Sequence, residues 1–582
     1  MKKIILKKIV LTLVIAIAIT SCNEDFLEQT NPNQITVDTY WKSLADLNSG
    51  LTAVYNQYKN PNILATVDES FRTDLCWPGF GRPTTVNTVY LQTFTNSDGT
   101  PNNKWSALYT GIFRANQVIE AYEILKPSLV SDADKLQGQK IVAQAIAFRG
   151  LFYFYLYNGF NKGAVPIFKT VPKTQEDFYE SIRPATEVRA FFTADLEFAM
   201  ANLPTSWDAP NKGRLTAGAA AAMLGQSYLY EAEYPKAAEY FKKVIMDYGY
   251  TLTPEIGSNF TTKDELNSES ILEIQYSTLF PDSVYLTNNL NSLFADSAVG
   301  GFRTALPSCA LIMAYKNDVM DMSDPRNTVL DPVTNLPRPR IHNLRASASL
   351  ALVDDTDTKF YGSTAAAIGK FNGRETAYFR KYTNWDITTN EKLVFAGSVR
   401  SGVNLRVIRL ADVYLMYAEA LIKGGADESG LNEALLYVNK VRKRSALRLL
   451  GPIGSGDFPA SDHDDVVYTA KSLMKHIMDV ERFVELAMEG NAIRAIDLRR
   501  WNYTLQRLTD LSQRKYYAAD FPAQTLPVVS PTKFGAILKD DGVRIDPLYD
   551  EFLMSARNFG VSKPYYWPIP NSEITANPKL FN

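Results

Sequence analysis

The sequence predicts a mostly α-helical protein in which about four helical hairpins wind into a right-handed scaffold, interrupted by an inserted loop-rich lobe of mixed α/β character. Three observations predict it. Residues 213–249 read as two short helices folded back on one another. Helical patterns of the same kind occupy much of 105–203 and return at 406–501. Between 250 and 404 helical periodicity is lost over roughly 150 residues, too long for a structureless loop in a compact domain, so this stretch reads as an insert with structure of its own.

The chain opens on a targeting signal, residues 1–21. Lys2, Lys3, Lys7 and Lys8 form a basic start, and the apolar run 9–19 is too short to span a bilayer as a helix. It ends in Ile19-Thr20-Ser21-Cys22, which resembles the lipobox of bacterial lipoproteins, where the cysteine is acylated. Several acyl chains together hold a protein firmly, so Cys22 is the expected membrane anchor. Asn23-Glu24-Asp25 resembles the acidic signal that sends some lipoproteins to the outer face of the outer membrane. Residues 22–40 then read as a tether.

An N-terminal part, 41–249, begins with an amphipathic helix over 41–58 and a loop-rich stretch over 60–100 that contains Arg72, Asp74, Trp77 and Phe80. Helices follow at 105–125 and 141–159. The second is strongly apolar but short and mid-chain, which makes it a core helix packed on a partner at 187–203. The 213–249 hairpin carries the sharpest pattern. Its first helix holds Leu224, Gly225 and Tyr228, with Ala219, Ala220, Ala221 and Ala222 where a partner must come close; alanine is both the best helix former and small. Glu233 and Tyr234 form the corner, and Pro235 opens the second helix, where its missing N–H costs nothing. Ala237, Phe241, Val244, Ile245 and Tyr248 line one helical face, and Gly249 supplies a left-handed stop. Leu-Gly-x-x-Tyr followed by Ala and Phe matches the tetratricopeptide (TPR) pattern, and one such unit cannot bury its apolar face alone.

The insert, 250–404, holds a strand-like run at 271–276 and isolated aromatics. Hairpins return over 405–505, as 406–423 with 431–445 and 474–489 with 491–501. A C-terminal segment, 506–582, closes on a short helix expected to be capped by Asn571.

Composition removes several functions. Without the leader lysines the chain carries 57 basic against 63 acidic residues, a net of about −6, which argues against nucleic acid. Three His and three Cys, widely scattered, leave few ligands for a zinc or His-based catalytic site. Cys76 and Cys309 either pair in an oxidising compartment or lie buried as thiols. The 32 Tyr, 30 Phe and 7 Trp are many for a soluble protein, and some are expected to face a ligand.

Seven motifs, in order, carry a resemblance: DFLEQTNPNQ, WSALYTGIFRANQVIE, AQAIAFRGLFYFYLYNGF with Val165-Pro166 after it, GRLTAGAAAAMLGQSYLY, VIRLADVYLMYAEAL, ERFVELAMEGNAIRAIDLRRW and WPIPNSEITANPKL. They resemble the SusD/RagB family over nearly the whole chain, with 60–100 and the insert matching least. Asn491-Ala492-Ile493 departs from it, since the family more often has a basic residue and an aromatic there. The resemblance implies a cell-surface lipoprotein of a Gram-negative bacterium that binds oligosaccharide and hands it to a SusC-type TonB-dependent barrel. It also implies TPR helices packed against that barrel, a ligand site built from aromatics in the irregular part, and no catalysis.

Sugars present CH-lined faces and hydroxyl edges, so a binder needs flat aromatics beside directed hydrogen-bonding groups. Trp41, Trp105, Trp501 and Trp567 sit inside the motifs and Trp207 in a hinge, which leaves Trp77 and Trp385 as candidate platforms. Arg72 and Asp74 form a candidate hydroxyl-binding pair beside Trp77, and Tyr285 and Tyr378 are further candidates. Glu481, Glu485 and Glu489 recur every fourth residue and invite a glycosidase reading. Arg482 beside them, and Arg494, Asp497, Arg499 and Arg500 on the next helix, make interhelical ion pairing the simpler one. No cofactor is expected; a structural calcium ion is left open. The competing functional reading is a TPR scaffold or surface lipoprotein that captures peptide or protein, against which the aromatic-bearing insert argues.

Overall fold

The computed structural model describes residues 40–79, 83–280, 283–368, 376–395, 398–514 and 551–582. The leader, Cys22 and all of the tether but Tyr40 lie outside the described residues. Helix α1 (Leu44–Tyr58) follows an N-cap at Ser43, whose hydroxyl accepts from the Asp46 N–H. α2 (Gly99–Leu125) and α3 (Asp132–Gly159) both start earlier than their apolar stretches suggest. Their first turns are polar, and for α3 the start is set by Ser131, whose side chain accepts from the Asp134 N–H.

α4 (Ala185–Asn202), α5 (Ala217–Tyr230) and α6 (Tyr234–Asp247) continue the scaffold. The TPR signature has a direct physical reading here. A Cβ at Gly225 would stand 2.6 Å from the Phe241 ring, so glycine lets α5 and α6 close on each other. Gly111 plays the same part against Phe152 between α2 and α3. α2, α3, α4, α5 and α6 pack each on the next, and α6 packs directly on α7 (Leu410–Lys423), which packs on α8 (Glu428–Arg444). Since α6 and α7 touch, the residues between them are looped out of a continuous scaffold.

The looped-out region is built from short helices and two-stranded pairs. β1 (Cys76–Pro78) pairs with β3 (Ala305–Pro307), β2 (Ser270–Ile274) with β6 (Leu405–Arg409), and β4 (Leu350–Leu352) with β5 (Ala377–Phe379), all antiparallel. The β2–β6 pair ties the two ends of the insert together. It also corrects the predicted helix over 406–423, whose first residues are strand, with Arg406 and Arg409 buried in it.

The predicted helix over 474–489 is interrupted. α9 (Ala470–His476) runs into a wide π turn, Ile477–Glu481, then a helical turn, Arg482–Glu485; α10 (Ile493–Arg500) follows after left-handed residues at Met488, Gly490 and Ala492. α11 (Thr504–Gln513), α12 (Leu553–Ser562) and α13 (Asn571–Ala576) complete the described chain. Asn571 is the first residue of α13 and not its cap, which is Pro570 with no side-chain bond. Cys76 and Cys309 are both buried as thiols, so they do not pair.

A buried ion-pair network locks the insert to the helices. Arg409 donates to Glu269 at 2.8 Å, Glu485 at 2.7 Å and Glu489 at 2.6 Å. Arg444 donates to Glu269 at 2.9 Å and also to Glu485. Arg345, from the insert, reaches Glu481 at 2.8 Å and also Asp318, which Arg442 meets at 3.0 Å. Lys381 donates to Glu489 at 2.6 Å. Burial would push the Glu269 and Glu485 carboxyls up, but Arg444 and Arg409 together pull both down to about 2. Ion pairing is thus the role of the Glu481, Glu485 and Glu489 row, with partners on the insert, β6 and α8 and not on α10.

Glu485→Ala is expected to cost about 3–5 kcal/mol in urea unfolding, because it strands buried guanidinium groups. Because these carboxyls titrate near 2 when folded and near 4.5 when unfolded, their contribution is present above about pH 5 and is lost as pH falls towards 2. Unfolding midpoints flat from pH 6 down to 2 would contradict the network's role.

Candidate functional site

The structure separates the sequence-predicted residues into buried and exposed sets. Trp77 lies in the middle of β1, opposite Leu306, and is 2% exposed; its indole N–H donates to Glu551 at 2.9 Å. Asp74 is buried and accepts from Arg494 at 2.8 and 2.7 Å and from Arg507 at 2.7 Å. Burial opposes its charge, but the two guanidinium groups hold its carboxyl at about 2. Arg72 is buried against the Trp567 ring, 4.2 Å from its centroid, and donates to Glu69 and to the carbonyls of Pro564 and Tyr565. Tyr378 sits in β5 opposite Ala351 and is fully buried. These four therefore have no face to offer a sugar: the loop that carries Arg72, Asp74 and Trp77 is a core seam between the N-terminal part and the C-terminal segment.

Trp385 is half-buried, with the Arg380 guanidinium 3.5 Å from its ring centroid, so one face is already stacked. Tyr285 is 81% exposed. It projects from a loop closed at its base by the Ser277 N–H donating to the Leu286 carbonyl at 2.7 Å, and the same loop carries Phe280, 58% exposed. A second loop folds back on the short helix Leu290–Phe294, its Phe302 N–H donating to the Ser292 carbonyl at 2.7 Å; Phe302 is also 58% exposed. Asn288 and Ser401 exchange backbone hydrogen bonds at 3.0 Å, so the 398–403 segment flanks the first loop. Leu393, exposed as well, lies on a turn next to Gly300, against which Asn390 and Lys392 pack.

Three exposed rings thus sit on loops that adjoin one short helix, and a buried polar cluster ties that helix to the stretch around Asn384. The buried Glu391 carboxylate accepts from Asn291 Nδ2 at 2.6 Å, from Asn384 Nδ2 at 2.6 Å, from the Asn384 N–H at 2.9 Å and from the Tyr361 hydroxyl. Asn384 Nδ2 also donates to the Arg400 carbonyl, and Ser401 Oγ donates to Asn384 Oδ1 at 2.8 Å. Burial, then Glu391 itself, pushes the Tyr361 phenol well above its ordinary value, so it stays a donor. Exposed rings on such loops suit a ligand with apolar faces.

Phe280 and Phe302 escaped the sequence reading, which ranked Trp and Tyr first. Their signal was the turn chemistry around them, Pro281-Asp282-Ser283 and Gly300-Gly301, which marks a ring that no strand or helix can bury. Among the described residues no group of three or more His, Cys, Asp or Glu is placed to hold a metal ion, and no helix is long and apolar enough to cross a membrane.

Comparison with known proteins gives consistent likenesses. A family model described as SusD family matches residues 347–582, and one described as starch-binding associating with outer membrane matches 25–229. A SusD-like protein of Bacteroides ovatus is 24% identical over 448 residues, 74% of this chain and 75% of that protein. The solved structure of a SusD superfamily protein from Bacteroides vulgatus superposes with a TM-score of 0.69 at 22% identity, covering 93% of this chain and 99% of the other. A laminarin-binding SusD-like protein gives 0.63 at 22% identity, covering 93% and 98%.

Trp77→Ala is expected to cost about 3–5 kcal/mol of stability, as large-to-small changes of buried aromatics do. Any loss of ligand binding in that variant should track unfolding in a denaturant titration. A Trp77→Ala protein of undiminished stability that no longer binds would restore Trp77 as a platform.

Proposed function

The chain belongs to the SusD/RagB family, and from that premise we propose that it binds oligosaccharide at the cell exterior and passes it to a SusC-type TonB-dependent transporter. Acylation at Cys22 anchors it to the outer membrane on this reading. The observation that carries the proposal is the exposed ring set Phe280, Tyr285 and Phe302 on loops that adjoin the short helix held by Glu391. Half-buried Trp385 stands at the edge of the same lobe as a further contact, its backbone neighbour Asn384 being a donor to Glu391.

The proposed role is binding without catalysis. The carboxylates that invited a glycosidase reading are each buried and matched by Arg or Lys, which leaves none poised to give a proton to a glycosidic oxygen.

Magnitudes set the affinity. Covering one ring face removes roughly 100 Å² of apolar surface, worth about 2.5 kcal/mol at ~25 cal/mol per Å². Each hydrogen bond adds about 1 kcal/mol net, and association costs at least ~4 kcal/mol. Two or three rings with several hydrogen bonds give a Kd from roughly millimolar to tens of micromolar, favouring long ligands over monosaccharides.

Affinity electrophoresis of the mature chain against plant, host and microbial polysaccharides tests this. Retention by one class is expected, with Tyr285→Ala and Phe302→Ala each weakening it about tenfold at unchanged Tm. Silence across the panel from folded protein, or submicromolar binding of a monosaccharide, would count against it.

A further inference from the structure

A second cleft is lined by α2, the 168–179 stretch and α13. It has a volume of about 620 Å³, within the range of small-molecule sites. Its floor is one face of α2, where Trp105, Tyr109 and Phe113 recur every fourth residue, and its far wall is the turn bearing Phe178 and Tyr179 together with Glu573 of α13. No residue of 250–404 lines it. On the opposite face of α2, Ala107, Gly111 and Val118 are core.

The polar ends of the floor rings are already engaged. Tyr109 Oη donates to the Pro166 carbonyl at 2.9 Å, and Trp105 Nε1 donates to Glu573 at 3.3 Å. Glu573 also accepts from Asn577 Nδ2 at 3.1 Å. The rings are thus fixed, while Phe178 stays 48% exposed at the mouth. The remaining polar groups at the walls are hydroxyls and amides, Thr110, Thr170 and Gln175 among them. No Lys, Arg or His lines the cleft; Lys579, whose ammonium stands 6.0 Å from the Tyr179 ring centroid, is paired with Glu176, and the one carboxylate accepts from two protein donors, so the lining suits a neutral ligand better than an anion.

We propose that this cleft is a second carbohydrate site, taking neutral sugar rings against Phe113, Phe178 and Tyr179 independently of the insert's rim of exposed rings. The class of ligand rests on the glycan-binding reading; the position does not. Two sites on one chain let a polysaccharide engage both at once, the second contact being intramolecular, so long glycans gain avidity that short ones lack.

The test is calorimetry and affinity electrophoresis of the mature chain with starch, laminarin and xyloglucan and with their short oligosaccharides. Phe178→Ala removes an exposed ring, and Thr110→Trp fills the cleft from an exposed helical position; both should leave Tm unchanged. The expected result is that either variant lowers polysaccharide affinity about tenfold while a Tyr285→Ala, Phe302→Ala protein retains short-oligosaccharide binding at the cleft. If both cleft variants bind as wild type and the rim variant binds nothing, the second site is wrong and the rim reading stands. If the cleft variants abolish all binding and the rim variant has no effect, the cleft is the site and the rim reading falls. Silence of the wild type towards all three glycans overturns the carbohydrate assignment.

Discussion

The structure depends on a charge balance struck out of reach of water. Arg345, Lys381, Arg409, Arg442 and Arg444 meet Glu269, Asp318, Glu481, Glu485 and Glu489, five cations against five carboxylates, all buried. Removing an ion from water costs several kcal/mol even after relaxation, and that cost is offset only where every charge is matched at hydrogen-bond distance. The members come from the insert, from β6, from the end of α8 and from the turn after α9. None of these segments can shift without leaving a charge unmatched. A lobe of short strands and single-turn helices, which has little regular backbone bonding of its own, acquires in this way a fixed place on the TPR-like scaffold.

The same demand explains the irregular fourth hairpin. Glu481 must reach Arg345 and Arg442 while Glu485 reaches Arg409 and Arg444. The π turn at Ile477–Glu481 widens the helix where this row turns inward, and the chain then leaves by left-handed residues, of which Gly490 adopts that conformation at no steric cost. In sequence the stretch reads as a plain amphipathic helix, because charges every fourth residue look the same on a solvated face and in a buried network. Arg406 and Arg409 misled for the same reason, since buried arginines in a strand look like the polar face of the helix that follows. What the residues did reveal were the hairpins, where the 3.6-residue period and the Gly225–Phe241 contact are local facts. Long-range charge pairing leaves no local trace.

The candidate site shows a similar division. Trp77, Arg72 and Asp74 stand in a polar loop with the composition of a ligand site, yet apart from Glu69 beside Arg72 the partners named above lie more than 400 residues away, in Arg494, Arg507, Glu551 and the Pro564–Tyr565 backbone. Nothing near them in the sequence announces those partners. Tyr285 was legible because it lies among turn formers with no apolar period to bury it. Phe280 and Phe302 satisfy the same test, and only a preference for side chains with a polar handle hid them. For a sugar face the ring alone matters, and a hydroxyl on the ring is incidental.

The charge network and the exposed rings are connected through the stretch around Asn384. Holding apolar rings in water is unfavourable, and loops with the freedom to collapse would bury them against one another or against the lobe. Glu391 limits that freedom by tying Asn291, on the short helix the loops adjoin, to Asn384, while the ion network holds Lys381, three residues before Asn384. Whatever ordering this tie imposes is settled in folding, before any ligand arrives, so each contact loses less of its free energy on binding. On the proposed reading, that is the regime a relay requires: contacts few enough that the ligand leaves readily for the transporter, on a frame stiff enough that each of them counts.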